Sequence, residues 1–178
     1  MKTSDIDLSI AVTMTRSRVI GIHGKRPWRL PSEISRIKGI TLRSRVVLVG
    51  RNAYETLREE GLLRDRKVIV LTRKNHLEQT DSLRTAASVE EVVRLIERFG
   101  GRACALGGAQ LFGQLLPLAN TLYITTVHAP ADRPIHGDAH FPKVHDHLWT
   151  RSDLSAKRKW YPDDDYPTTF ETLELVTC

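Results

Sequence analysis

Between Asp7 and Glu55 the chain has a single acid, Glu33, set among ten lysines and arginines: Arg16, Arg18, Lys25, Arg26, Arg29, Arg36, Lys38, Arg43, Arg45 and Arg51. Helical spacing places Glu33 in line with Ile37 and Ile40 and beside Ile34, so its carboxylate lies along an apolar stripe. Pro27 and Pro31 stiffen the entry segment "PWRLP", which brings Trp28 and Leu30 over the helix start. A carboxylate walled by Trp, Leu and Ile has a poorly solvated charged form, which raises its pKa and readies it for proton chemistry. It is also a two-pronged acceptor for the paired N–H groups of an amidine-like heterocycle. The surrounding cations act in the opposite sense by stabilising the anion, and a first-turn acid exposed to solvent is the plainer alternative.

A second group of residues suits phosphate. Gly107 and Gly108 end one apolar run just before a helical pattern, where backbone can approach a ligand and helix N–H groups point outward. Arg51, Arg73 and Lys74 also stand at the ends of apolar runs, and the planar guanidinium fork matches phosphate oxygens. Together these residues favour a dinucleotide, although a glycine pair alone serves helix packing almost as often.

Elements with a recurring order must position these groups. Apolar runs rich in Ile, Val and Leu occupy 8–12, 46–50, 67–72, 103–108 and 122–127. Such runs, bounded by Gly or charge, suit strands buried on both faces of a sheet. Helical patterns lie between them: "SEISRIKGI" with a Ser cap, "RNAYETLRE", "SVEEVVRLIERFG" with a Ser cap and terminal Gly, and "AQLFGQLLPLA". Alternating strand and helix predicts an α/β domain with a mainly parallel sheet, whose ligands collect at the carboxyl ends of the strands. After residue 127 the pattern changes, and "RKWYP" with "TTFETLEL" (168–175) reads as an antiparallel hairpin at one edge. The acidic tip "YPDDDYP" (161–167) reads as a solvated loop.

A chain of 178 residues fits one domain, here 1–178. No apolar stretch spans a bilayer and the N-terminal residues lack a signal-peptide pattern, so a cytoplasmic protein is expected. Cys104 and Cys178 lie far apart without metal-type spacing, and no disulfide is expected. The net charge of +6 attracts anions, but a 6% aromatic content and the lack of a basic helical stripe argue against a nucleic-acid surface. His136, His140, His145 and His147 fall in predicted loops, read as solvated rather than as a metal site.

Eight motifs in register resemble the dihydrofolate reductase family of the bacterial type: "RVIG" (18–21), "PWRLPSE" (27–33), "TL" (41–42), "VGRNAYETL" (49–57), "RKVIVLTR" (66–73), "LGGAQLF" (106–112), "LPLANTLYIT" (116–125) and "GDAHFP" (137–142). The resemblance implies an eight-stranded mixed sheet flanked by helices. It also implies hydride transfer from NADPH to C6 of dihydrofolate, with a proton delivered to N5, in a monomeric enzyme of one-carbon metabolism and an antifolate target. By that resemblance Glu33 binds the pterin 2-amino group and N3 and assists protonation through water, Trp28 helps hold that water, and Thr125 supports the carboxylate from behind. Ala11, Val12, Ile34, Ile37, Leu57, Leu63 and Leu106 line the substrate site, and Arg66 pairs with the substrate's glutamate carboxylate.

For the cofactor, the resemblance implies that Arg51, Thr72 and Arg73 hold the adenosine 2'-phosphate and that Gly107 and Gly108 are joined by a cis peptide. Thr13, Ile20, Gly21, Asn52, Ala53, Ala109, Gln110, Leu111 and Phe112 complete that pocket, and "GIHGKRPW" (21–28) is a mobile loop that closes over nicotinamide. Four positions depart from the pattern: Ile37 stands for an aromatic, Ala53 and Ala139 for threonines, and Ala109 for a glycine. Arg26 stands where a loop hydrophobe is usual. Related NADPH reductases of pyrimidine intermediates share the glycine pair without requiring the acid, and a non-catalytic ligand-binding homologue would keep the fold without turnover.

Overall fold

The structure is a computed structural model describing residues 6–74, 77–152 and 156–176; Cys178 lies outside them. In chain order the elements are β1 (Asp7–Thr15), β2 (Val19–Gly21), α1 (Pro31–Ser44), β3 (Val46–Gly50), α2 (Arg51–Glu59), β4 (Lys67–Leu71), β5 (Leu83–Ala86), α3 (Val89–Arg98), β6 (Arg102–Gly107), α4 (Ala109–Leu115), β7 (Thr121–Val127), β8 (Ala139–His140), β9 (Trp149–Arg151) and β10 (Thr168–Leu175). The main sheet has eight strands in the order β5-β4-β3-β6-β1-β7-β10-β9, and β2 pairs with β8 in a separate ribbon. Strands β5 to β7 of that order run parallel, whereas β10 is antiparallel to both β7 and β9. This is the mixed, mainly parallel sheet that the apolar runs predict.

Alternation within the strands assigns each face to its helices. Leu8, Ile10, Val12, Leu48 and Ile69 join Val92 and Ile96 of α3 and Leu111 and Phe112 of α4 in one core. Ala11, Val47, Val49, Val68 and Val70 face the other way and pack with Ile37 of α1 and Tyr54 and Leu57 of α2. Completely burying a side chain such as Leu8 contributes about 1.5–3 kcal/mol. The same alternation turns the odd-numbered residues of β1 toward α1, which fixes where Thr13 points.

The expected hairpin partner is different. β10 pairs with Trp149–Arg151, while "RKWYP" contributes only the isolated bridge Lys159 to Thr168. A three-residue strand has too little period to announce itself, whereas the Trp-Tyr pair of "RKWYP" carries strand-like composition without pairing.

Two helix starts show how capping is solved. Ser88 caps α3, accepting from the backbone N–H of Glu91 at 3.3 Å, and Glu91 in turn accepts from Ala87 N–H at 2.7 Å. α1 starts instead at Pro31 with Leu30 as its cap residue, so the expected serine cap does not form. Its anion comes from the acidic tip: Asp164, only 6% exposed, accepts from Ser32 N–H at 3.1 Å and from the Ser32 hydroxyl. Asp165 accepts from Arg29 N–H at 2.6 Å. The tip is therefore docked rather than solvated, because the free N–H groups and positive dipole end of α1 attract its carboxylates.

Candidate active site

A cleft of about 960 Å³ opens across the carboxyl ends of β1, β3, β4 and β6. At its centre two strand ends meet. β6 gains an extra residue against β3 after the Leu48–Ala105 pair, so that Val49 pairs with Gly107. Gly107 has φ 135, and its peptide bond to Gly108 is cis. A Cβ on Gly50 would lie 3.4 Å from the Gly108 nitrogen, so the two strand ends meet in van der Waals contact. α2, capped by Gly50, and α4, capped by Gly108, have no side-chain cap hydrogen bond among the described residues.

Thr13, Ile20, Gly21, Arg51, Asn52, Ala53, Thr72, Arg73, Gly107, Gly108, Ala109, Gln110, Leu111 and Phe112 all line this cleft. Gly50, Thr56, Leu71, Ala87, Gln114 and Asp138 join them; the sequence alone singles out none of the six as a site residue, although Gly50, Thr56, Leu71 and Asp138 lie inside the matching motifs, because their part in the wall depends on how the chain folds. Arg51 is loosely paired with Glu55 at 3.7 Å, and Arg73 is exposed. The Thr72 hydroxyl is engaged within its own turn by the backbone of Lys74. Two cations, uncapped helix N–H groups and bare glycine backbone fit a pyrophosphate-containing cofactor with an additional phosphate.

At the other end Ala11, Val12, Ile37, Leu57 and Leu106 line the wall. Ile34 packs at the edge of the same apolar core. Leu63 and Arg66 border a second depression with Arg45, Arg58, Arg64 and Lys67. Arg66 is 9% exposed and donates Nε–H to the Thr41 hydroxyl at 2.7 Å, Nη2–H to Lys38 C=O at 2.8 Å and Nη1–H to Arg64 C=O. Three acceptors thus orient its fork and leave two N–H groups without a partner among the described residues, available to a carboxylate.

Glu33 projects from the first turn of α1 and is 1% exposed. Burial pushes its pKa above the ordinary 4.5, against the pull of Arg26, the Thr13 hydroxyl and Arg36. Its Oε1 accepts from the Thr13 hydroxyl, and its Oε2 lies 3.4 Å from Nη1 of Arg26. Thr125, which the resemblance places behind the acid, has no direct hydrogen bond to it among the described residues. Thr13 and Thr125 are register partners on adjacent β1 and β7, so both hydroxyls face α1. Thr125 accepts from Nη1 of Arg36 at 3.2 Å, and that guanidinium lies 4.6 Å over the Phe170 ring. Arg36 thus bonds Thr125, while the hydroxyl bonded to the acid is that of Thr13. The Trp28 indole N–H is buried with no hydrogen-bond partner among the described residues, a donor ready for a water or ligand atom.

The covering loop is tethered. Ile22 and Lys25 exchange backbone hydrogen bonds of 2.8 and 2.9 Å, making a short turn at its tip. His23 N–H donates to both Asp138 oxygens at 3.1 and 3.2 Å. Arg26 follows this turn directly and reaches two acids, Glu33 and, through Nη2, Glu60 at the end of α2.

A sequence profile described as dihydrofolate reductase matches residues 7–175. The dihydrofolate reductase of Buchnera aphidicola subsp. Baizongia pistaciae is 32% identical, over 97% of this chain and 100% of its own. The type 3 dihydrofolate reductase of Salmonella typhimurium is 30% identical, over 93% and 96% respectively. Among solved structures, the Enterococcus faecalis dihydrofolate reductase complexed with NADP(H) and RAB-propyl superposes with a TM-score of 0.78 at 26% identity, covering 96% of this chain and 97% of that one. With the glycine junction, the cleft and the buried acid all in place, this chain belongs to the dihydrofolate reductase family.

Proposed function

We infer that this protein reduces 7,8-dihydrofolate to tetrahydrofolate with NADPH, and that Glu33 is the group that anchors the pterin and stores the proton for N5. The observation that carries this reading is the 1%-exposed carboxylate of Glu33, bonded to Thr13 and addressed by Arg26 of a cleft whose other arm holds Arg51, Arg73 and the glycine junction. When bound, NADPH supplies the hydride for pterin C6. The two oxygens of Glu33 match the paired N–H groups of a 2-amino heterocycle. Burial favours the protonated carboxyl over the anion, so the acid holds its proton to higher pH than an exposed carboxyl does. Thr13 holds the carboxyl in one orientation, and the Trp28 N–H can hold the water through which the proton passes to N5. Ala11, Ile37, Leu57 and Leu106 give the heterocycle an apolar wall that excludes bulk water.

On the cofactor arm, Arg51 and Arg73 bind the 2'-phosphate, while the N–H groups opening α2 and α4 serve the pyrophosphate. Loop 21–28, held by Asp138, shields the reacting carbon from water. Arg66 orients the substrate tail through its two remaining N–H groups. The same reading takes the chain as one domain, since a single sheet draws strands from residues 7 to 175, and as a cytoplasmic monomer. Among the described residues no helix is long and apolar enough to cross a membrane.

The direct test follows NADPH absorbance with and without dihydrofolate. Oxidation that depends on dihydrofolate supports the reading. Binding of both ligands without oxidation would establish a non-catalytic homologue, and oxidation driven only by a pyrimidine substrate would assign the related reductase activity.

A further inference from the structure

The acid at the pterin end of the cleft is covered by a cation from the loop. Arg26 lines the cleft, whereas Glu33 behind it is 1% exposed and forms none of the cleft wall. The guanidinium is 21% exposed and spans two carboxylates, donating Nη2–H to Glu60 Oε2 while Nη1 stands 3.4 Å from Glu33 Oε2. Oε1 of Glu33 already accepts from Thr13. A 2-amino heterocycle that uses both carboxylate oxygens must therefore share or take the one that Arg26 addresses.

The geometry favours exchange. Strong charge-assisted N–H to carboxylate bonds are about 2.7–2.9 Å long, so the 3.4 Å contact to Glu33 is the weaker hold. Glu60 caps the end of α2 and is 25% exposed, so it can keep the guanidinium on the rim of the cleft where solvent reaches it. A ligand that takes Oε2 therefore requires the guanidinium to move aside.

Resting on the assignment of Glu33 as pterin anchor, we propose that Arg26 is a specificity-determining gate: it holds Oε2 of Glu33 until a ligand with two convergent N–H donors displaces it, and Glu60 retains the displaced guanidinium. The closed arrangement lowers apparent affinity by the fraction of molecules in which the acid is covered. Ligands lacking the donor pair gain nothing that offsets the lost ion pair, so the gate selects for the 2-amino edge.

The test measures dihydrofolate Kd by quenching of tryptophan fluorescence, together with KM and kcat, in the full chain. Arg26→Met is expected to tighten Kd and lower KM for dihydrofolate about five-fold, the scale of a partly screened ion pair, with NADPH affinity unchanged. Glu60→Gln has the opposite sign, weakening dihydrofolate about three-fold, because Arg26 then has only Glu33 to hold. In the Arg26→Met background Glu60→Gln changes nothing. Arg26→Gln supplies the same comparison if the methionine variant fails to fold. Unchanged or weaker dihydrofolate binding on loss of Arg26, or an equal Glu60→Gln effect in both backgrounds, overturns the gate. Absence of turnover in the wild type with binding retained would overturn the reductase reading alone, since the Kd values still decide the gate.

Discussion

Thr13 on β1 donates its hydroxyl to Oε1 of Glu33 on α1, and its register partner Thr125 on β7 is engaged by Arg36 instead. One hydroxyl therefore orients the buried acid while its neighbour anchors a cation behind it. The consequences for activity and stability can be separated by mutation and by pH.

Glu33→Gln keeps the size of the side chain and removes its proton chemistry. Turnover of dihydrofolate at neutral pH is expected to fall by roughly 10²–10⁴-fold, with NADPH affinity nearly unchanged. Stability moves the other way. The folded carboxyl titrates above 4.5 and the unfolded one near it, so between those values the unfolded chain binds fewer protons. Wild-type stability accordingly declines as pH rises through this window and levels off above the folded pKa. Urea unfolding should show Glu33→Gln gaining on the wild type at neutral pH, with the gain shrinking as pH falls from the folded pKa toward 4.5. A variant with full turnover would remove Glu33 from the reaction.

Thr13→Val deletes a hydrogen bond to the charged form of Glu33, which raises the acid's pKa further. If the protonated carboxyl supports turnover, the alkaline limb of the kcat profile moves to higher pH. Thr125→Val, which touches Arg36 rather than the acid, should move that limb less. Equal shifts in the two variants would contradict the division of labour between the hydroxyls.

Arg51 and Arg73 stand on the same arm of the cleft, and hydrogen bonds to a charged group contribute about 1.5–3 kcal/mol each. Arg51→Ala and Arg73→Ala are each expected to raise KM for NADPH by roughly ten-fold or more while changing KM for NADH little. Parallel losses with both nucleotides would remove these arginines from the 2'-phosphate.

Asp138→Ala cuts the two bonds from His23 N–H that tie the loop tip to the segment before β8. Arg26 lies three residues beyond that tie, so the loop should sample more open positions, kcat should fall several-fold, and hydrogen exchange at residues 22–25 should rise. Unchanged exchange would show that the hairpin bonds between Ile22 and Lys25 suffice.

The runs at 46–50 and 122–127 announced buried strands because a continuous apolar run is a local property of the chain. The order strand, Gly, helix likewise marked where phosphate-binding backbone would lie. Local pattern also marked Glu33, since helical spacing alone sets its companions Ile34, Ile37 and Ile40.

Pairing across the sheet decided the remainder. The resemblance offers Thr125 for the acid, whereas the hydrogen bond comes from Thr13, its register partner on β1, and Thr125 accepts from the Arg36 seated over Phe170. Asp164 caps a helix 132 residues away, and Arg26 meets Glu60 across 34 residues. Such contacts leave no periodic trace, because they depend on how distant segments converge rather than on the spacing of neighbours. Local pattern thus specified the long buried strands, the helices and the chemical types at the strand ends, but not the short strands. Tertiary structure decided which hydroxyl supports the acid, which carboxylate caps its helix and which cation covers it, since hydrogen bonds and ion pairs act only over the few ångströms that folding creates.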